Sequence, residues 1–167
     1  MANTFELIAS STVGAGGAAS IAFSSIPSTY TDLCIKLSAR STRSGYESDG
    51  LTITLNSTGV SAGRGLYGSG SGAASDTDTI VGVFSAAATT ANTFGNAEIY
   101  IPNYTPSNNK SISSDAVGEN NGTTAYMRLS AVLVPLTSAI TSITLASATS
   151  SNFVQYSTAY LYGVKNA

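Results

Sequence analysis

Apolar and polar residues alternate along most of this chain with the two-residue period of a β-strand. The clearest segment is 51–55, where leucine and isoleucine alternate with threonine. Successive side chains of a strand point to opposite faces of the sheet, so this segment predicts a strand with one dry face and one hydroxyl-bearing face. Threonine suits such a half-buried face because it is branched at the β-carbon.

The same alternation recurs along the chain and predicts about ten strands. Glycine, proline, serine and asparagine cluster between the alternating segments, as is typical of turns. No convincing apolar stripe of helical period and length is found. The predicted strands are residues 4–9, 19–24, 32–40, 51–55, 79–84, 94–101, 110–117, 125–134, 139–146 and 153–164.

These strands predict an all-β fold in a single domain. A sheet that is apolar on one face must cover that face with another layer, so we expect an antiparallel β-sandwich, jelly-roll-like, with little or no helix. The length of 167 residues fits one such domain spanning 1–167. Within it, residues 1–17 are a candidate N-terminal assembly segment, and the Gly/Ser-rich stretch 63–76 is predicted to be a mobile loop or an extended arm.

Charge is scarce and argues against nucleic acid and membrane partners. Charged residues make up 10% of the chain, and seven scattered basic residues leave a net charge of -2. Nucleic-acid binding depends on clustered lysine and arginine, and the nearest approach to a cluster, Arg40 and Arg43, is interpreted as a solvated or interface pair. No run reaches the roughly 18 apolar residues of a membrane span, and residues 1–8 lack a secretory pattern, so we expect a soluble protein made in a cytoplasm.

The residues that most catalytic and metal sites need are missing. The chain has no histidine and one cysteine, which excludes a Ser-His-Asp triad and leaves too few of the usual zinc ligands. Nine carboxylates are available, but no spacing selects a glycosidase pair, and the acidic segments 47–49 and 76–78 lack the distal glutamate of a calcium loop. We therefore expect no enzymatic activity, no cofactor and no metal.

Cys34 is interpreted as a small packing residue. Leu33, Ile35 and Leu37 share one face of a predicted strand, which places Cys34 on the opposite face beside Lys36. A reactive thiol would need a base nearby, and without histidine only Lys36 or a helix terminus remains.

Three segments give the chain a specific resemblance. Residues 23–33 read Phe-Ser-Ser-Ile-Pro-Ser-Thr-Tyr-Thr-Asp-Leu, residues 99–104 read Ile-Tyr-Ile-Pro-Asn-Tyr, and residues 160–166 read Tyr-Leu-Tyr-Gly-Val-Lys-Asn. With these segments the chain resembles, over most of its length, a family of small virion structural proteins of tailed bacteriophages, common in phages of aquatic bacteria. Members of that family are described as head decoration, tail-fibre or simply virion proteins. The resemblance carries no catalytic motif and no site residues.

Together with the composition, the resemblance implies a capsid decoration or cement protein that binds the outer surface of the head shell and stabilises it. The implied location is the virion, and the implied partners are the major capsid protein and further copies of the chain, with a trimer favoured. Tyrosines in predicted strands are interpreted as packing or interface residues, because the ring is usually buried while the hydroxyl stays wet. The candidate assembly contacts are Phe5, Leu7, Tyr156, Tyr160 and Tyr162.

The alternative is a tail-fibre or spike component that binds a host-surface glycan. Exposed tyrosine and asparagine in the loops 103–109 and 119–124 would supply stacking and hydrogen bonds to a sugar, and the candidates are Tyr104, Asn108, Asn120 and Asn121. An enzyme acting on surface polysaccharide is the least favoured class, because the catalytic residues are missing.

Overall fold

The computed structural model describes residues 4–70, 72–119 and 125–165. These residues form thirteen β-strands, and none of them lies in a helix. The strands are β1 (Phe5–Thr12), β2 (Ser20–Phe23), β3 (Asp32–Ala39), β4 (Ser48–Leu55), β5 (Thr58–Gly59), β6 (Ala62–Ser69), β7 (Gly72–Asp76), β8 (Gly82–Ser85), β9 (Gly95–Ile101), β10 (Lys110–Glu119), β11 (Ala125–Val134), β12 (Ile143–Ser147) and β13 (Thr158–Val164).

The strands form two antiparallel sheets of unequal size. The larger sheet has eight strands in the order β1-β13-β3-β9-β10-β11-β6-β7. The smaller sheet has the order β2-β12-β4-β5, and β8 pairs with the first half of β4 on the same side as β5. The predicted antiparallel β-sandwich is confirmed, with thirteen strands where the alternation predicted about ten.

The two sheets meet through apolar side chains that recur at every second position. In β4, Leu51, Ile53 and Leu55 are buried, whereas the threonines between them are half-buried. These three side chains belong to the same buried cluster as Ile35 and Ile99 of the larger sheet. Burying one such side chain contributes about 1.5–3 kcal/mol, so the layer between the sheets supplies most of the stabilisation of the fold.

The first and last strands pair with each other at one edge of the larger sheet. β1 runs antiparallel to β13, with a register shift between Leu7 and Ala9, and Lys165 Nζ donates to Glu6 Oε1 at 2.9 Å. Residues 5–12 of the candidate assembly segment 1–17 are therefore an edge strand. Residues 1–3 lie outside the described residues, and the assembly role of the segment stays a prediction.

The last strand begins later than the alternation predicts. A strand is expected over 153–164, but β13 starts at Thr158. Phe153 makes only isolated bridges, with Ala18 and Ser41, and Tyr156 has a φ of 72°. A strand cannot continue through this left-handed conformation, so the chain turns before β13 begins.

The prediction of a mobile loop or arm over residues 63–76 is wrong. This stretch forms most of a hairpin, in which β6 pairs with β7 on one side and with β11 on the other. A Cβ added to Gly63 would lie 2.0 Å from the Asp78 carbonyl oxygen, and one added to Gly65 would lie 2.2 Å from Arg128 Nη2. These glycines make room for close neighbours, whereas in the sequence they suggest flexibility.

Candidate functional site: the outer face of the larger sheet

The smaller sheet covers one face of the larger sheet and leaves the other face turned outward. Large apolar side chains stand exposed on this outer face. Monomeric proteins rarely expose a contiguous apolar patch beyond a few hundred square ångströms, so the face is the first candidate for an interaction site. Its exposed apolar residues are Phe5, Leu7, Leu66, Val117, Met127, Leu129, Leu133 and Tyr160.

The terminal patch is the part of the outer face formed by Phe5, Leu7, Tyr160 and Tyr162. Leu7 lies directly opposite Tyr162 across the β1 and β13 pair, and the rings of Tyr160 and Tyr162 lie 6.5 Å apart. Phe5 is 52% exposed and Leu7 is 56% exposed. Four of the predicted assembly contacts thus share one surface, while the remaining one, Tyr156, is exposed in the turn before β13.

The groove face is the part of the outer face formed by β9, β10, β11, β6 and β7. It contains a groove of about 840 Å³. Ser113 and Ala131 lie opposite each other in its floor, and their short side chains keep the floor low. Tyr100 of β9 lines one side and Leu66 of β6 lines the other. Along β11 every second side chain on this face is apolar, in the order Met127, Leu129, Ala131 and Leu133.

A row of charged residues crosses the outer face and ends in the groove. Lys36 of β3 lies opposite Glu98 of β9, which in turn lies opposite Asp115 of β10. Lys36 Nζ donates to Glu98 Oε2, whereas within the described residues no lysine or arginine forms an ion pair with Asp115. Like charges directly opposite across two strands are unfavourable, so Asp115 places an uncompensated negative charge in the groove.

This carboxylate pair could not be found from the sequence. Glu98 and Asp115 become neighbours only through the register between β9 and β10, and alternation along each strand does not specify that register. Two neighbouring carboxylates also occur in glycosidases, where one of them acts as a proton donor. Here Glu98 serves instead as the ion-pair partner of Lys36.

Tyr100, the aromatic residue in the groove wall, has its hydroxyl committed to the protein. The hydroxyl donates to Asp32 Oδ2 at 2.5 Å, and the other oxygen of the same carboxylate accepts from the Asn103 backbone N–H at 2.8 Å. The hydrogen bond to Asp32, together with burial, raises the pKa of Tyr100 to about 12. The phenol is therefore held by Asp32, and its hydroxyl is not free for a ligand.

Of the loop residues predicted to face a glycan, the structure describes Tyr104 and Asn108. Tyr104 is fully buried, and its hydroxyl donates to the Pro27 carbonyl oxygen. The prediction for Tyr104 is wrong, because a ring that fills the core cannot stack on a sugar. Asn108 is exposed, and Asn120 and Asn121 lie outside the described residues.

The single cysteine is buried on the outer side of β3. Cys34 alternates with Leu33 and Ile35, as the sequence pattern predicts, yet it is completely inaccessible. It lies between Tyr100 and Tyr162 on the neighbouring strands. Burial raises the pKa of the Cys34 thiol, which favours the protonated and less reactive form. The position is that of the packing residue expected from the sequence.

Arg40 and Arg43, the nearest approach to a basic cluster, stabilise loops of their own chain. The Arg43 guanidinium lies over the Tyr46 ring, 3.7 Å from its centre, and donates to the Ser48 carbonyl oxygen at 2.9 Å. Both side chains are half-buried, and burial lowers the pKa of Arg40. The Arg40 guanidinium donates to backbone carbonyl oxygens of Ala87, Thr89, Thr90 and Thr93.

Residues of the segments 23–33, 99–104 and 160–165 meet at one corner of the fold. The Tyr104 hydroxyl bonds to the Pro27 carbonyl oxygen and accepts from the Tyr30 backbone N–H at 3.4 Å. The Tyr30 ring covers Gly163, and Lys165 Nζ lies 5.3 Å from the centre of the same ring. These contacts lie within one chain and hold the corner together.

The described residues contain no cluster of three or more metal-ligating side chains. They also include no helix with the length and apolar character to cross a membrane. Comparison of the chain with protein-family models and with curated proteins finds no match.

Proposed function

We propose that this protein is a structural component of a tailed-phage virion, and specifically a capsid decoration protein that binds the outer surface of the head shell. The terminal patch is the observation that carries the proposal. Phe5, Leu7 and Tyr160 are exposed and Tyr162 is half-buried. All four lie on two strands that pair with each other, which is the arrangement a permanent protein contact needs. The sequence resemblance supplies the class of particle.

The terminal patch is held in a fixed position by contacts behind it. Glu6 accepts hydrogen bonds from Lys165 Nζ at 2.9 Å and from the Tyr30 hydroxyl at 3.1 Å. These bonds lower the pKa of the Glu6 carboxyl and tie β1 to the end of the chain. A preorganised surface loses little conformational entropy on binding, which suits a protein that must add to a finished shell.

The chemistry of the terminal patch indicates the chemistry of its partner. Phe5, Leu7 and the two tyrosine rings offer apolar area with hydroxyls at the margin, and the patch itself carries no charge. The corresponding site on the major capsid protein should then be apolar and weakly charged. Binding of this kind depends little on ionic strength, because salt screens charges and leaves apolar contacts intact.

The glycan-binding alternative has weaker support. Its main aromatic candidate, Tyr104, lies in the core, and the one aromatic residue that lines the groove, Tyr100, has its hydroxyl bonded to Asp32. Sugar sites usually present an exposed aromatic ring beside free polar groups. Tyr104 offers no exposed ring, and the hydroxyl of Tyr100 is not free.

The first experiment is to measure how many copies of the protein each purified virion carries. Quantitative mass spectrometry against the major capsid protein gives that ratio directly. A copy number comparable to that of the capsid protein is expected for a decoration protein that covers the lattice. A copy number that is a small fraction of this would place the protein in the tail and contradict the proposal.

Variants of the terminal patch test the surface itself. Replacing both Phe5 and Leu7 with serine should lower occupancy on the particle while the unfolding midpoint of the isolated protein stays within a few degrees. Tyr46→Ser is the matched control, because Tyr46 is 56% exposed, like Leu7, and lies outside the terminal patch. Equal occupancy for the two variants would show that the terminal patch is not the attachment surface.

A further inference from the structure

We infer that the groove face binds the groove face of a second copy of this chain across a two-fold axis. The inference concerns the isolated protein and does not depend on the proposed virion role. The groove face and the terminal patch are separate parts of the larger sheet, on β6, β7 and β9–β11 and on β1 and β13 respectively, so self-association and attachment to a particle use different side chains.

An apolar strip runs across the groove face beside its charged and hydroxyl-bearing residues. Leu66 lies directly opposite Leu129, and Met127 lies directly opposite Val117, so the exposed side chains form one continuous strip over three strands. Leu66 is 59% exposed and Leu129 is 45% exposed. Such exposed aliphatic side chains pack well against other protein side chains in the core of an interface.

The shape of the face allows two copies to interlock. Short side chains at Ser113 and Ala131 leave a low strip beside the taller Leu66 and Arg64 of β6. A protruding row next to a groove is self-complementary under a two-fold rotation, because the row of each copy can enter the groove of the other. The volume of about 840 Å³ is large enough to receive several side chains.

The charges on the face are also self-complementary. Asp115 is the uncompensated carboxylate in the groove, and Arg64 at the groove wall is exposed, with the Gly63 carbonyl oxygen as its hydrogen-bond acceptor at 2.7 Å. Under a two-fold rotation, Arg64 of each copy faces Asp115 of the other. The dimer then contains two ion pairs between Arg64 and Asp115, whereas a single chain does not form this pair.

The available area is sufficient for a specific contact. Five strands spaced about 4.8 Å apart, each presenting roughly eight residues at about 3.4 Å per residue, give a face of roughly 650 Å². Specific interfaces bury about 600–1,000 Å² on each partner. The groove face lies at the lower end of that range, so we expect a dimer with a dissociation constant in the micromolar range.

The decisive measurement is the molar mass of the purified full chain over a concentration series, by sedimentation velocity or light scattering. The expected result is a reversible change from one chain to two as the concentration rises from low micromolar to several hundred micromolar. A mass of one chain at every concentration overturns the inference. It does so even if the groove is later found to bind an oligosaccharide. A mass of three chains, the state favoured by the sequence, overturns the two-fold pairing.

Charge reversal identifies the contact. Arg64→Asp and Asp115→Arg should each weaken dimerisation by about tenfold or more, because each change places like charges together at two symmetric positions. The double variant with both changes should restore the dissociation constant to within about threefold of the original. Failure of the double variant to recover, with the fold intact by circular dichroism, would exclude the Arg64 and Asp115 contact.

An apolar substitution tests the strip without adding charge. Leu129→Thr keeps a good strand former and should raise the dissociation constant by about tenfold or more. Leu7→Thr is the matched control, since Leu7 is an exposed leucine on the same sheet but in the terminal patch, and it should leave dimerisation unchanged. A dimer weakened by Leu7→Thr and insensitive to Leu129→Thr would place the contact in the terminal patch and overturn the inference.

Discussion

The ring of Tyr30 lies directly over Gly163, so that a Cβ added to this glycine would stand 2.3 Å from the ring carbon Cγ. The two residues are 133 positions apart in the chain. The glycine in the terminal Tyr-Leu-Tyr-Gly sequence is therefore required by the tyrosine that crosses it.

Gly163→Ala should destabilise the protein by about 1–3 kcal/mol, because the added methyl group forces the Tyr30 ring out of its position. Urea unfolding measures the change. The cost should be smaller in a Tyr30→Ala background, where the ring is absent, and this difference is the coupling between the two residues. Gly59→Ala is the control, since no atom lies within 4 Å of a Cβ at that position; an equal cost for both variants would contradict the steric explanation.

The ion pair between Arg128 and Asp76 should be the most sensitive charged contact. Nη1 and Nη2 of Arg128 donate to the two carboxylate oxygens of Asp76 at 2.7 Å each, and the Arg128 side chain is 3% exposed. Asp76→Asn leaves this buried guanidinium without a counter-charge and should cost about 2–3 kcal/mol of the free energy of unfolding. Asp78→Asn, an exposed carboxylate two residues later, should change it by less than about 0.5 kcal/mol.

The same pair predicts part of the acid sensitivity. The hydrogen bonds from Arg128 hold the pKa of Asp76 below its ordinary value of 3.8. The folded state therefore binds this proton less readily than the unfolded chain does, so the stabilisation is fully present above pH 3.8 and is lost as the pH falls through the lower folded-state pKa. Below pH 4, the free energy of unfolding should fall less steeply with decreasing pH for Asp76→Asn than for the original protein. Parallel pH dependences of the two proteins would contradict this.

Tyr100 predicts the opposite behaviour in alkali. The Asp32 carboxylate raises its pKa from 10.0 to about 12, so the folded state keeps a proton that the unfolded chain loses. The stabilisation is fully present below pH 10 and is lost as the pH rises towards 12.

Tyr100→Phe should cost about 1–2 kcal/mol at neutral pH, and the difference from the original protein should shrink between pH 10 and pH 12. Thermal unfolding across that pH range measures both effects. Tyr156→Phe, at an exposed tyrosine in a turn, is the control and should leave the curve unchanged. A constant difference over the whole alkaline range would show that the hydrogen bond to Asp32 is not the cause.

The buried thiol should be unreactive in the folded protein. Cys34 is completely inaccessible and burial raises its pKa, so a disulfide reagent such as dithionitrobenzoate should react only as fast as the structure opens. Denaturant should release one full equivalent of thiol. Immediate reaction of the native protein would contradict the packing role of this residue.

The outcome for individual strands shows what alternation can predict. The alternation predicts the segment 125–134 with the bounds of β11, and it predicts β4, β9 and β10 to within a few residues, because apolar residues at every second position are a local property of the chain. The alternation misses the β6 and β7 hairpin because Gly63 and Gly65 suggest flexibility locally. The Arg128 side chain, which needs the space at Gly65, is far away in the sequence. Tyr104 was placed in a loop correctly, but its burial depends on Pro27 and Tyr30, which its own surroundings do not reveal.

The amino-acid sequence by itself determined the fold class, since residues that alternate at period two and lack helical stripes can bury their apolar atoms only by stacking sheets. It also determined which catalytic and metal-binding side chains are scarce, because the composition includes no histidine and one cysteine. Only the tertiary structure decided which apolar residues stay uncovered and which charges become neighbours. Both depend on strand order and register, which arise from contacts between distant segments: the exposure of Leu66 and Leu129 and the position of Asp115 beside Glu98 exist only once five strands have paired.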